Sequence, residues 1–125
     1  MEVTIEKISK KYLKDAHTIY NYYIVNSYSN FEEKILTFNQ FHSNYKNIAK
    51  NKLPYLIALS EKKVVGLAYL NRFREKSGYR FAFENTIYIH EKHTRQGIGY
   101  KLLKELLYVS KNNKNIKLIV AVIGS

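Results

Sequence analysis

The 125-residue chain contains no cysteine. That excludes a disulfide framework, a thiolate nucleophile and a Cys-ligated zinc site. Asp15 is the only aspartate and no Gly-x-Ser-x-Gly elbow occurs, which disfavours a serine triad built on Asp. Long apolar runs are missing as well. The longest, Leu118 to Ile123, has six residues, against about twenty for a membrane-spanning helix. The opening residues Met1 to Thr4 lack the basic and then apolar pattern of a secretory signal. The expectation is a cytoplasmic domain. Acids are scarce: ten against 21 Lys and Arg, a net charge of +11, which favours anionic partners. The positive charges are dispersed, with no block of five or more, so a lysine-coated surface is a simpler reading than a nucleic-acid or membrane interface. With 46% hydrophobic residues, the length fits one folded domain over residues 1–125.

Periodicity supplies the elements. Val3 and Ile5 alternate with polar neighbours as in a half-buried strand. Asp15 is placed to cap a helix whose apolar stripe is Ala16, Ile19, Tyr20, Tyr23 and Ile24. Ser27 to Lys34 reads as a loop, and Thr37-Phe38-Asn39-Gln40 as a capping box opening a second helix to about Lys50. Pro54, the only proline, closes that connection. Tyr55 to Leu59 reads as a strand, Glu61-Lys62-Lys63 as a tight turn, and Val64 to Phe73 as the hairpin partner. After a polar crossing from Arg74 to Gly78 comes an aromatic strand, Tyr79 to Ile89. A helix from Gly97 to about Asn112 and a strand from Lys117 to Ile123 finish the chain. The order β-α-α-β-β-β-α-β predicts one mixed α/β layer structure.

The stretch with most chemical content runs from Ile87-Tyr88-Ile89 into Arg95-Gln96-Gly97-Ile98-Gly99-Tyr100. A strand, a short turn and a glycine-bearing helix N-terminus present unpaired N–H groups and the positive end of the helix dipole to an anion. An ordinary turn that needs glycine for its backbone angles accounts for the same residues equally well. The third glycine of a dinucleotide fingerprint and the Gly-Lys-Ser/Thr of a P-loop are both absent. Glu84 lies within the aromatic strand. Alternation sets Phe81, Phe83, Asn85, Ile87 and Ile89 on one face and Ala82, Glu84, Thr86 and Tyr88 on the other. Desolvation there would suit a general base, whereas a solvated cross-strand carboxylate is the commoner occurrence. His90 and His93, without further ligands, read as exposed loop histidines rather than a metal site.

Taken together these segments resemble the GNAT N-acetyltransferases, and more closely their phosphinothricin/methionine sulfoximine branch. The resemblance covers nearly the whole chain. It begins at Ile19-Tyr20-Asn21 and Asn30-Phe31-Glu32, and continues through Leu53-Pro54-Tyr55-Leu56-Ile57-Ala58, Val64 to Tyr69 and Gly78-Tyr79-Arg80. Glu84-Asn85-Thr86-Ile87-Tyr88-Ile89, a short loop and Arg95-Gln96-Gly97-Ile98-Gly99 then follow in the family's order. The fold implied is a mainly antiparallel mixed sheet flanked by helices. The activity implied is direct transfer of the acetyl group of acetyl-CoA to the primary amine of a small amino-acid-like acceptor, without a metal. Backbone groups of Ile87, Tyr88 and Ile89 would meet the pantetheine arm, and the N–H groups of Arg95, Gln96, Gly97, Ile98, Gly99 and Tyr100 the pyrophosphate. Glu84 would serve as general base. Arg74, Glu75, Lys76, Glu84, Asn85 and Thr86 match acceptor-binding positions, with Phe31 and Tyr79 lining that pocket. Neither nucleic acid nor membrane is expected as a partner.

Two departures stand out. Thr94 occupies a position where the family has Gln or Arg. Beyond Ser125 the family continues with a cofactor-contacting Asn, a further helix and two strands, so a truncated domain is expected. The family's homodimer draws on those elements, which leaves the oligomeric state open. A non-catalytic remnant or acyl-CoA-binding module is the alternative.

Overall fold

The computed structural model describes residues 2–26, 35–72, 82–94, 96–111 and 118–123. Strand β1 (Thr4–Lys7) is followed by a 3-10 turn (Lys10–Tyr12), helix α1 (Leu13–Asn26), helix α2 (Phe38–Lys50), β2 (Tyr55–Ser60), β3 (Lys63–Arg72) and β4 (Ala82–Ile89). A second 3-10 turn (Glu91–His93), helix α3 (Ile98–Ser110) and β5 (Leu118–Ile123) complete it. The element order is the expected one. The sheet runs β1-β2-β3-β4-β5, antiparallel from β1 to β4 and parallel between β4 and β5.

Each face of the sheet carries its own core. On one side Tyr55, Ile57, Leu67 and Tyr88 meet Leu13, Ala16, Ile19 and Ile24 of α1 and Phe41 and Ile48 of α2. On the other, Leu56, Ala58, Ala68, Ile87 and Ile89 meet Ile98, Leu102 and Leu106 of α3. Strict alternation breaks once. Leu59 pairs with Val64 while Ala58 pairs with Gly66, so β3 carries one extra residue. Val65 and Ala68 consequently share the α3 face although they are three residues apart. A β-bulge has this effect.

Several boundaries differ from the sequence reading. Helix α1 starts at Leu13, so Asp15 lies inside its first turn rather than capping it. Leu13, only 2% exposed, draws the helix start forward by burying its side chain, and Asp15 still meets the positive end of the helix dipole. The Thr37 capping box is present: Gln40 N–H donates to Thr37 Oγ1 at 3.1 Å and Thr37 N–H to Gln40 Oε1 at 2.9 Å. The hairpin loop has two residues, not three, because Lys63 already pairs with Ser60. Glu61 and Lys62 sit at φ 52° and 66°, the left-handed region that Asn-Gly fills at lower cost in such turns. The double change Glu61→Asn, Lys62→Gly is expected to raise stability by about 1 kcal/mol. Thermal unfolding should register this as a midpoint about 4 °C higher.

Candidate active site

Helix α3 begins beside the end of β4. Gly97 is its N-cap, at φ 77° and ψ 6°, a left-handed conformation that glycine adopts without steric penalty. This corrects the expected helix start by one residue: Gly97 turns the chain and Ile98 begins the helix. Ile98 is 1% exposed and anchors the turn in the α3-side core. Gly97 offers no side-chain cap and the first turn has no acid. The first intrahelical bond is Lys101 N–H to Gly97 C=O at 3.1 Å, so the N–H groups of Ile98, Gly99 and Tyr100 have no acceptor within the helix. A Cβ on Gly97 would meet no atom within 4 Å, and one on Gly99 would meet only Ile89 Cγ1, at 3.9 Å. Gly97 is exposed and Gly99 half-exposed. The turn at Gly97 is therefore open beside the last residue of β4, while Ile98 is packed beneath it.

The adjoining strand edge follows from backbone alternation. His90 N–H donates to Val65 C=O at 2.8 Å, so the main-chain groups of Tyr88 and Thr86 also point to β3. Those of Ile87 and Ile89 point toward β5. The described β4–β5 ladder ends at Ile87 opposite Ile123, which leaves the backbone of Ile89 beyond it. Of the three residues expected to meet a pantetheine arm, Ile89 turns its backbone to that side beyond the described ladder, Ile87 turns the same way but pairs with Ile123 of β5, and Tyr88 pairs with Leu67 of β3.

Glu84 occupies a register position between Asn71 of β3 and Val120 of β5, two residues before Thr86. Asn85 is fully buried between Leu70 and Ala121, on the face opposite Thr86. Asn85 and Thr86, two of the expected acceptor residues, are therefore divided by the sheet. Phe31, Arg74, Glu75, Lys76, Tyr79 and Arg95 lie outside the described residues. Gln96 and Tyr100 are exposed, Tyr100 at 71%. The His90 and His93 rings are neighbours at 5.7 Å, with His90 Nδ1 accepting from Lys92 N–H. Among the described residues no three metal-ligating side chains gather, and no helix is long and apolar enough to cross a membrane.

Sequence reasoning missed two features. The first is a tyrosine cluster on the α1/α2 face. Tyr55 stacks on Tyr69 at 4.8 Å, Tyr20 meets Tyr88 edge-on at 6.0 Å, and the Tyr69 hydroxyl is hydrogen-bonded to Thr86. Alternation along the hairpin from β2 to β3 was the available signal for it. Burial, reinforced by the neighbouring Tyr20 and Tyr88, pushes the Tyr55 hydroxyl above the ordinary tyrosine range, and burial does the same to Tyr69 against the opposing Thr86 bond. The unfolded chain therefore loses these protons first as pH rises. Stability is expected to be unaffected by Tyr55 below about pH 10 and to fall above it by about 1.4 kcal/mol per pH unit. Denaturation with the tyrosinate absorbance as a second probe checks this: ionisation of Tyr55 should coincide with unfolding.

The second is a clamp on α1. Asn21 Oδ1 accepts from Leu36 N–H at 3.1 Å, its Nδ2 donates to Leu36 C=O at 3.0 Å, and His17 Nε2 reaches the same carbonyl at 2.6 Å. The chain entering α2 is thereby fixed to α1. Asn21 is a side chain whose single-residue pattern carries no periodic signal.

Comparison with known proteins bears on the family and the fold. The family model described as Acetyltransferase (GNAT) family matches residues 14–124. The phosphinothricin N-acetyltransferase of Streptomyces viridochromogenes is 32% identical over 106 residues, covering 85% of this chain and 57% of the relative. The L-methionine sulfoximine/L-methionine sulfone acetyltransferase of Salmonella typhimurium is 34% identical over 61 residues, 47% of this chain and 36% of the relative. The chain thus spans little more than half the length of the first of these. A phosphinothricin acetyltransferase from Sinorhizobium meliloti, solved with acetyl-CoA, superposes with a TM-score of 0.89 at 30% identity, covering 99% of this chain and 67% of that one. The sheet, the glycine turn and the extent of these matches lead to one assignment: the chain belongs to the GNAT acetyltransferase family.

Proposed function

We propose that this chain binds acetyl-CoA and transfers its acetyl group directly to the primary amine of a small, amino-acid-like acceptor of the phosphinothricin or methionine sulfoximine kind. The observation that carries this reading is the N-terminus of α3, without a side-chain cap, seated against Ile89, which lies beyond the described end of the β4–β5 ladder. The amides of Ile98, Gly99 and Tyr100, with the dipole of α3 behind them, suit a pyrophosphate. A bulkier residue at Gly97 would have to hold a left-handed φ. The backbone of Ile89 suits an extended amide-bearing arm, which would pair with it as an added strand does.

In the transfer, the amine nitrogen attacks the thioester carbonyl carbon. A C–N bond forms, the C–S bond breaks, and the thiolate departs and takes up a proton. Glu84, directly or through water, receives the proton the nitrogen loses. Backbone donors of β4 aimed at the carbonyl oxygen stabilise the charge that develops there. Holding both reactants in one complex replaces a bimolecular encounter. No covalent acyl-enzyme is required, in keeping with a chain that has no cysteine.

Calorimetry with acetyl-CoA, paired with an assay of thiol release in the presence of phosphinothricin or methionine sulfoximine, tests the reading. One-site binding of acetyl-CoA and acceptor-dependent thiol release are expected. Binding without release would assign the chain as an acyl-CoA-binding module. Absence of binding would overturn both.

A further inference from the structure

Tyr69 of β3 and Thr86 of β4 stand directly opposite each other. Both are half-buried, on the sheet face that packs against α1 and α2, and the Tyr69 hydroxyl is hydrogen-bonded to Thr86. The Tyr69 ring is held in that position from behind. Tyr55 stacks on it at 4.8 Å with 26° between the ring planes, and Tyr45 of α2 meets Tyr55 edge-on at 6.3 Å. Tyr55 is only 5% exposed, so the stack is anchored in the core.

The two stacked tyrosines use their hydroxyls differently. Among the described residues, Tyr55 Oη has no hydrogen-bond partner. Its ring supplies packing, for which phenylalanine would serve as well. The Tyr69 hydroxyl instead holds a polar side chain. A threonine hydroxyl has one donor and two acceptor sites, and its rotamer decides where they face. Strand backbone leaves more than one rotamer open, so a bond from a rigid neighbour selects among them. One such bond leaves two of the three sites for other partners.

We propose that Tyr69 is a positioning residue for the acceptor: its hydrogen bond holds the Thr86 hydroxyl in the rotamer that meets the polar groups of a small amino-acid-like amine. This rests on the reading of Glu84 and Thr86 as acceptor-binding residues. The two are two residues apart on β4, about 7 Å along the strand, a length that an acceptor of this size spans. Tyr69 touches neither acceptor nor acetyl-CoA in this account and acts through Thr86.

The test is the initial rate of thiol release by the full 125-residue chain, with methionine sulfoximine varied at saturating acetyl-CoA. Tyr69→Phe keeps the ring and its stacking. It should raise the KM for methionine sulfoximine about three- to tenfold, the worth of one neutral hydrogen bond. The kcat should change by less than about twofold, and acetyl-CoA affinity should be unchanged. Tyr55→Phe removes a hydroxyl from the same stack and should leave that KM as it is. Thr86→Val should raise it at least as much as Tyr69→Phe does, and the double variant should be little worse than Thr86→Val, because the pair acts as a unit. Calorimetric binding of methionine sulfoximine to the chain saturated with coenzyme A should show the same pattern. With an active or acceptor-binding parent, an unmoved Tyr69→Phe, an equal rise in Tyr55→Phe, or multiplying effects in the double variant would each overturn this inference alone. A parent chain that neither acetylates nor binds methionine sulfoximine would overturn the acceptor reading and this inference with it.

Discussion

Replacing Glu84 by Gln is expected to lower the rate of acetyl transfer by about 10²- to 10⁴-fold while leaving acetyl-CoA affinity unchanged. The amide keeps the size and shape of the carboxylate and removes only its capacity to take a proton. Glu84 sits at an interior position of the sheet, in register with Asn71 on one side and Val120 on the other. The proposed base and the backbone of Ile89, proposed to meet the thioester arm, lie on the same strand, five residues apart. Proton removal from an attacking amine requires a base within reach, directly or through water. The residual rate of the variant should also lack the fall on the acidic side that protonation of the base causes in the parent. An equal loss of acetyl-CoA binding, or a lowered thermal midpoint, would point to a structural role instead. An unchanged rate would remove Glu84 from the mechanism.

How much of this was legible beforehand depends on the residues. Order and type of the described strands and α-helices followed from periodicity, because each apolar stripe meets one face of one sheet, whereas the two 3-10 turns did not. The capping box at Thr37 was readable because both partners are local in sequence. The start of α1 was not, since Leu13 is buried by tertiary packing that outweighs the cap preference of Asp15. The bulge at Val65–Gly66 is equally hidden: strict alternation extrapolates through it, and only pairing with β2 shows the extra residue. In the site, the glycines signalled a turn, but which one holds the left-handed angle is a property of the finished helix start. The division of Asn85 from Thr86 follows directly from alternation. The Asn21–Leu36 clamp and the tyrosine cluster needed contacts between distant segments, which no local pattern carries.

The helix that presents the amides is held by a close approach, and disturbing it should cost both stability and binding. Leu102 is completely buried on the inner face of α3. Its Cδ1 would lie 3.1 Å from a Cβ at Gly66, alongside Ile89 Cδ1 at 3.0 Å and Tyr88 C=O at 3.3 Å. Glycine at the bulge therefore sets how near α3 comes to the sheet. Leu102→Ala is expected to lower stability by about 2–5 kcal/mol, from lost burial plus the cavity left behind, and Gly66→Ala by about 1–3 kcal/mol through overpacking. Chemical denaturation of both single variants and the double variant measures whether they share that space. In the double variant the methyl added at Gly66 no longer meets Leu102, so the combined loss should fall short of the sum by about 0.5–1.5 kcal/mol. Additivity would show instead that α3 shifts away from the added methyl at no cost. Because Gly66 pairs with Ile89, and Ile89 lies against Gly99, Gly66→Ala should also weaken acetyl-CoA binding, whereas Lys62→Gly at the far turn should not. Stability loss alone cannot produce that contrast when both variants are measured well below their unfolding midpoints, so the comparison isolates the placement of the helix start as the cause.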